Sequence, residues 1–212
     1  MTGSNPTAAV VWLHGLGADG HDFEPIVPQL GWQGAPDIRY VFPHAPVRPV
    51  TINGGMPMRA WYDILSLTSA RGHDREGVVT SVNQVAALLQ REISRGIPSE
   101  RIIVAGFSQG GAIALQLALR FPEKLAGVVA LSSYLLFPER IESQRHEANS
   151  RLPAFVGHGT LDPVVPLPMG EAAAEQLRAM GHPVEWHSYP IPHSVSPDEI
   201  EHLSAWLGKH LE

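Results

Sequence analysis

The sequence predicts an α/β fold in which helices cover both faces of a mostly parallel central sheet, and two observations lead to this prediction. With 44% apolar and 17% charged residues in a chain of 212, the composition is that of a globular protein with room for one core. Short apolar runs also alternate with longer segments of helical period, which is typical of parallel strands joined by helices. The six predicted strands are residues 8–13, 38–42, 101–105, 125–131, 154–156 and 184–189.

Helices are predicted where apolar residues recur every three or four positions, because this spacing places them on one helix face. Three segments show the pattern, and each ends at a glycine or proline: residues 78–96, 108–122 and 169–181. A fourth helix has a sharp start, since Ser196 can cap it and Pro197 fits its first turn. Glu199 is expected to complete a capping box with Ser196.

The chain is too short for two domains of ordinary size, and it contains no repeat, low-complexity tract or linker. We therefore expect residues 1–212 to form a single domain. The longest stretch without regular period covers residues 44–74. Loops of this length in a compact domain are usually functional, so we expect this one to form a wall of the substrate site.

Charge and composition exclude several classes of function. The net charge is −6 and there is no run of Lys or Arg, so a nucleic-acid partner is not expected. No apolar stretch reaches the roughly 20 residues that span a bilayer, and residues 1–6 lack the regions of a signal peptide. We therefore expect a cytoplasmic protein that is not integral to a membrane.

Neither a metal nor a cofactor is expected. The absence of cysteine excludes disulfides, a thiolate nucleophile and thiolate metal sites. The eleven histidines include no H-E-x-x-H and lack the short spacing to carboxylates that marks a zinc site. The phosphate-binding pattern G-x-x-x-x-G-K-[ST] is also missing, which disfavours a nucleotide site.

The strongest motif is Gly106-Phe107-Ser108-Gln109-Gly110, which matches G-x-S-x-G between a predicted strand and a predicted helix. In this context the serine lies on a tight turn that exposes its hydroxyl, and side chains at the two glycines would collide with neighbouring backbone. Ser108 is therefore the predicted nucleophile. The alternative is an ordinary glycine-rich helix start with a capping serine.

A serine nucleophile needs a base and an acid, which follow it in this fold in the order Ser, Asp or Glu, His. Asp162 follows the strand at 154–156, and His193 follows the strand at 184–189, so both lie at the carboxyl edge of the sheet. Asp162 also fits a simple turn before Pro163. The other histidines weighed as base are His158, His182 and His187, which fit the chain order or the loop position less well.

Two main-chain amides are candidates for an oxyanion hole. Gln109 starts a helix, where its N–H can donate to a developing negative charge. A second donor is expected from the loop after an early strand, and we assign it to Leu16 in His14-Gly15-Leu16-Gly17. The alternative for that loop is a glycine-rich turn without a catalytic role.

The segment from Met56 to Trp61 is a candidate for contact with an acyl chain. Met58 and Trp61 would present polarisable, apolar surface to such a substrate. The alternative is a loop packed into the core.

Taken together, these segments resemble the acyl-protein thioesterase, lysophospholipase and carboxylesterase family of small α/β-hydrolases that lack a cap domain. The resemblance covers almost the whole chain. It is carried by His14-Gly15-Leu16-Gly17, Phe42-Pro43-His44-Ala45-Pro46, residues 49–63, residues 106–111, residues 159–166 and Pro192-His193. The loop Gly17-Ala18-Asp19 lacks the acid that the eukaryotic thioesterases carry directly after the glycine, and in this the chain looks more like the bacterial carboxylesterase branch.

The resemblance implies an α/β-hydrolase fold and the hydrolysis of carboxylic esters or thioesters of small-molecule or lipid-like substrates. It implies Ser108, Asp162 and His193 as the triad, with Leu16 and Gln109 as oxyanion donors. A homodimer is compatible with the sequence. Two other functions stay open at this point: a non-catalytic binding protein on the same fold, and an amidase or peptidase that uses the same triad.

Overall fold

The computed structural model describes residues 5–32, 35–65 and 74–211. Six strands form one parallel sheet in the order β2-β1-β5-β6-β7-β8, and β3 and β4 pair separately as an antiparallel hairpin. In chain order the strands are β1 (Ala8–Leu13), β2 (Ile38–Val41), β3 (Val47–Val50), β4 (Met56–Arg59), β5 (Ile102–Phe107), β6 (Gly127–Leu131), β7 (Ala154–Gly159) and β8 (Val184–Tyr189).

Helices cover both faces of this sheet, as predicted. One face of β1, β5, β6 and β7 packs against the first, second and fourth helices, and the other face packs against the fifth. No helix in the described part of the chain is both long and apolar enough to cross a membrane. The helices are α1 (Arg75–Ser94), α2 (Gln109–Ala118), α3 (Pro138–Gln144), α4 (Leu167–Ala179) and α5 (Pro197–Leu211).

All six predicted sheet strands are present, and the differences lie at their ends. β5 extends to Phe107, so that Ser108 follows the strand directly. β7 extends three residues past its predicted end to Gly159, which pairs with Tyr189 of β8. The added residues are Gly157, His158 and Gly159. Glycine is uncommon inside strands, and here all three residues pair with β8.

The stretch predicted to lack regular structure contains the β3–β4 hairpin. Val47 pairs with Arg59 and Val50 with Met56. Gly54 and Gly55 lie in the connection with φ of 68° and 77°, a backbone region that glycine adopts at little cost. Residues 66–73 of the same stretch lie outside the described residues.

The start of α5 differs from the predicted capping box. Ser196 Oγ accepts a hydrogen bond of 3.2 Å from the Glu199 N–H, which is half of the box. The second hydrogen bond of the box, from the Ser196 N–H to the Glu199 carboxyl, is absent. The Glu199 side chain is buried, and neither of its oxygens has a hydrogen-bond partner among the described residues. It packs against β7, where a Cβ added to Gly157 would lie 2.2 Å from Glu199 Oε1. This burial raises the pKa of Glu199 to about 8.

We expect the free energy of unfolding to fall as Glu199 is forced to ionise. In the unfolded chain this carboxyl ionises near pH 4.5 and in the folded chain near pH 8. Because its folded pKa is raised, stability is fully present below the lower value and is lost as the pH rises through the higher one. Glu199→Gln should therefore flatten the decrease in Tm between pH 6 and pH 9, measured by circular dichroism. Glu201→Gln, an exposed glutamate on the same helix, is the matched control. Equal pH profiles for both variants would contradict the assignment.

Candidate active site

Ser108 lies on the turn between β5 and α2 in a strained backbone conformation, with φ of 54° and ψ of −120°. Such angles are costly for a residue with a side chain and persist only where the surroundings fix them. Two hydrogen bonds do so here: the Ser108 N–H donates to the Leu131 carbonyl at 2.8 Å, and Ser133 Oγ donates to the Ser108 carbonyl at 2.7 Å. The contribution of Ser133 has no signal in the sequence.

The two glycines of the motif allow backbone segments to approach each other closely. A Cβ on Gly106 would lie 2.3 Å from the carbonyl carbon of Gly110. A Cβ on Gly110 would lie 2.3 Å from the carbonyl oxygen of Leu13, at the end of β1. Real Cβ atoms do not approach so closely, and this confirms the collision predicted from the motif.

Gln109 contributes to the site through both its side chain and its main chain. Its Oε1 accepts from the Trp61 N–H at 2.8 Å, and its Nε2 donates to the Tyr62 carbonyl at 2.8 Å. These bonds tie the start of α2 to the segment after β4. The main-chain N–H of Gln109 has no acceptor among the described residues, as expected at a helix N-terminus.

The loop after β1 lies against Ser108, and His14 holds it in place. A Cβ on Gly15 would lie 3.6 Å from the Ser108 Cβ. His14 is buried, its Nδ1 donates to the Gly15 carbonyl at 2.7 Å, and its Nε2 accepts from the Ala45 N–H at 3.0 Å. Burial lowers the pKa of His14, which keeps the ring neutral. The sequence showed the histidine beside the glycines but not this supporting role.

The Leu16 amide is free to bind a ligand. Its N–H has no acceptor among the described residues, whereas the next amide, that of Gly17, donates to the Arg59 carbonyl at 2.9 Å. The Leu16 N–H therefore lies without a described acceptor in the loop that contacts Ser108, and the Gln109 N–H beside this serine is also without one.

Asp162 and His193 form the most direct contact of the predicted residues. His193 Nδ1 lies 2.6 Å from Asp162 Oδ2. The other carboxylate oxygen, Oδ1, accepts from the Val164 and Val165 amides at 2.8 and 2.9 Å. The carboxylate is buried, and its three hydrogen bonds fix its orientation and that of the imidazole.

The imidazole of His193 packs on Phe107, the residue that precedes Ser108, with ring centroids 4.6 Å apart. This brings the His193–Asp162 pair next to the serine turn. Within the described residues the Ser108 hydroxyl itself has no hydrogen-bond partner. The hydrogen bond between Ser108 and His193 is therefore the one link that this structure does not contain. Such bonds are often long in enzymes without substrate.

The other histidines that were weighed as the base are engaged elsewhere. His158 is fully buried, and its Nε2 donates to the Val165 carbonyl at 2.8 Å. His182 is buried against the Leu152 carbonyl, and burial lowers its pKa. His187 lies on β8 beside Glu185.

Met58 and Trp61 differ in their surroundings. Trp61 is only 2% exposed, and its Nε1 donates to the His14 carbonyl at 2.9 Å, which favours the core-packing alternative for this residue. Met58 is half-buried on the hairpin, and a Cβ on Gly17 would lie 3.8 Å from its Sδ. Met58 therefore borders the loop that carries the free Leu16 amide. No described cluster of His, Cys, Asp or Glu has an arrangement that holds a metal ion.

Comparison with known sequences finds esterases and thioesterases over nearly the whole chain. Residues 2–211 match the phospholipase/carboxylesterase family. The acyl-protein thioesterase 1 of Cryptococcus neoformans var. neoformans serotype D is 39% identical, and the alignment covers 97% of this chain and 93% of that protein. The acyl-protein thioesterase 1 of Gibberella zeae is 38% identical, with 98% and 92% covered.

Solved structures show the same similarity. Arabidopsis thaliana SOBER1 superposes with a TM-score of 0.90 at 35% identity, covering 97% of this chain and 99% of that one. Zea mays acyl-protein thioesterase 2 gives a TM-score of 0.88 at 30% identity, with 100% and 97% covered. These relatives are fungal and plant proteins, and the likeness to the bacterial branch at Gly17-Ala18-Asp19 stays a prediction.

Proposed function

The chain belongs to the phospholipase/carboxylesterase family of carboxylic ester hydrolases, and we propose that it hydrolyses its substrates through a triad of Ser108, His193 and Asp162. The observation that carries the proposal is the 2.6 Å contact between His193 and Asp162 beside a strained serine turn. A binding protein needs no such arrangement. The fungal relatives at 38–39% identity are named as acyl-protein thioesterases, so we include thioesters among the substrates.

The first step is attack of Ser108 Oγ on the acyl carbonyl carbon. His193 Nε2 takes the proton of the hydroxyl as the new C–O bond forms. Asp162 accepts from Nδ1, which keeps that proton on Nδ1 and leaves Nε2 free to act as the base. The carboxylate also stabilises the positive charge that the ring acquires.

Two main-chain amides stabilise the tetrahedral intermediate in this proposal. The N–H groups of Leu16 and Gln109 donate to the oxyanion that develops from the carbonyl oxygen. Their lack of any other described acceptor supports the assignment. In enzymes that use an oxyanion hole, loss of one donor raises the activation free energy of the chemical step by about 3 kcal/mol.

The second half of the reaction releases the acid. The bond between the acyl carbon and the leaving oxygen or sulfur breaks as His193 gives its proton to that atom, and the acyl group stays on Ser108 Oγ. A water molecule then gives a proton to His193 and attacks the acyl carbonyl. The Ser108 ester bond breaks as His193 passes this proton to Oγ, which restores the hydroxyl and releases the acid. No cofactor takes part in these steps.

We expect Ser108 to be the residue that reacts with a fluorophosphonate probe. The wild-type protein should gain one probe mass by intact-protein mass spectrometry, and Ser108→Ala should gain none. Ser143→Ala, an exposed serine on α3, is the matched control and should label like the wild type. A wild-type protein that does not label would support the non-catalytic alternative.

Asp162→Asn should fold normally and lose about 10⁴-fold in kcat for a nitrophenyl ester, because the amide would favour the wrong tautomer of His193. The asparagine Oδ1 can still accept from the Val164 and Val165 amides, so Tm should change little. The exposed Asp198 provides the control substitution, Asp198→Asn, with wild-type turnover expected. Full activity of the Asp162 variant would show that the acid is wrongly assigned.

We also propose that Met58 contacts the acyl chain. Met58→Ala removes most of the side chain that would contact the acyl chain, and burial of each methylene group is worth about 0.8 kcal/mol. The KM for an octanoyl ester should therefore rise several-fold. The effect of Met58→Ala on an acetyl ester should be negligible. Met56→Ala removes the same side chain from a residue that is 61% exposed on the same strand, and it serves as the control. An equal change for both esters would argue against contact with the chain.

A further inference from the structure

A cavity of about 670 Å³ lies between α1, the end of α2 and α3. None of its lining residues belongs to the proposed active site. Its volume falls in the range of about 300–1,000 Å³ that is usual for small-molecule sites. We call it the helical groove, and its lining comes from residues 75–90, 116–122 and 137–144.

The floor of the helical groove is apolar and elongated. Val78 and Val82 of α1 line it together with Leu117 and Phe121, and Val79, which also lines it, is 53% exposed. The α1 side of the lining spans 15 residue steps, from residue 75 to residue 90, or roughly 22 Å. This shape suits a long apolar chain better than a compact ligand.

The charged residues that line the groove are all cations. Arg75, Arg120 and Arg140 line it together with no carboxylate, in a chain whose net charge is −6. Two of the nearby acids are engaged at the margin: Glu139 lies 3.8 Å from Arg140, and Glu123 accepts from Gln90 at 2.7 Å. The lining therefore complements an anion.

Arg120 is the cation best placed to select an anionic ligand. It is half-buried, and four of its N–H groups donate to oxygens of Gln116 and Gln144 at 2.6–3.2 Å. These oxygens are uncharged, so Arg120 has no carboxylate partner among the described residues. Burial lowers its pKa. A partly buried guanidinium whose partners are all uncharged is stabilised by an anion that brings compensating charge.

We propose that the helical groove binds a free long-chain fatty acid, with the carboxylate at Arg120 and the hydrocarbon chain along the valines of α1. The site is distinct from Ser108 and does not depend on the proposed catalytic mechanism. An acid of this kind has the chemistry of a product that an acyl ester hydrolase releases. The groove would therefore allow the protein to hold a product-like ligand away from its active site.

The test uses the Ser108→Ala protein, so that binding is measured without catalysis. Dodecanoate, kept below its micellar concentration, should shift the methyl NMR signals of Val78, Val79 and Val82 in a saturable titration. Arg120→Gln should raise the Kd at least five-fold. Val79→Glu should do the same, because it places a like charge at an exposed position of the groove. Arg151→Gln, an exposed arginine elsewhere, should leave the Kd unchanged.

Several outcomes would overturn the proposal. One is a set of shifts confined to residues near Ser108 and Met58, which would place the ligand in the active site. Equal binding of dodecanoate and dodecanol would show that the arginines do not select the carboxylate. If anionic vesicles bind through the same arginines while monomeric dodecanoate does not, the groove is a membrane contact and not a fatty-acid site.

Discussion

The site depends on the close approach of the start of α2 to the end of β1. At Gly110 the distance leaves no room for a Cβ, and this contact places the helix N-terminus directly over the Leu13 carbonyl. The chain between β5 and α2 must then turn within one residue, which forces Ser108 into a positive φ. The same carbonyl end of β1 leads into His14 and Gly15, so the two free amides are positioned relative to one backbone contact.

Much of this arrangement follows from local sequence patterns and one topological rule. The glycine spacing around Ser108 predicts the turn, because only glycine permits the contacts on either side. Asp162 and His193 come after predicted parallel strands, whose carboxyl ends share one edge of the sheet, and this predicts that the two residues meet. The pattern of apolar runs predicts all six sheet strands, with errors only at their ends.

The parts that could not be predicted depend on contacts between distant segments. Gln109 binds the backbone of Trp61 and Tyr62, 47 or 48 positions earlier, and no local pattern shows this. The hairpin has two prolines in its paired strands, which weakens any local strand signal. Glu199 fits a capping box in the sequence, yet packing against Gly157 keeps its carboxyl inside the protein.

The proposal that both oxyanion donors are main-chain amides has a consequence for how this protein can diverge. A main-chain N–H is present whatever side chain the residue carries, and only proline removes it. The side chain of Leu16 can therefore be exchanged, which alters the shape and polarity that an incoming molecule meets, while the main-chain N–H proposed to stabilise the oxyanion is retained. Substrate preference and chemical competence are thus under separate genetic control, and relatives of one architecture can drift towards different substrates.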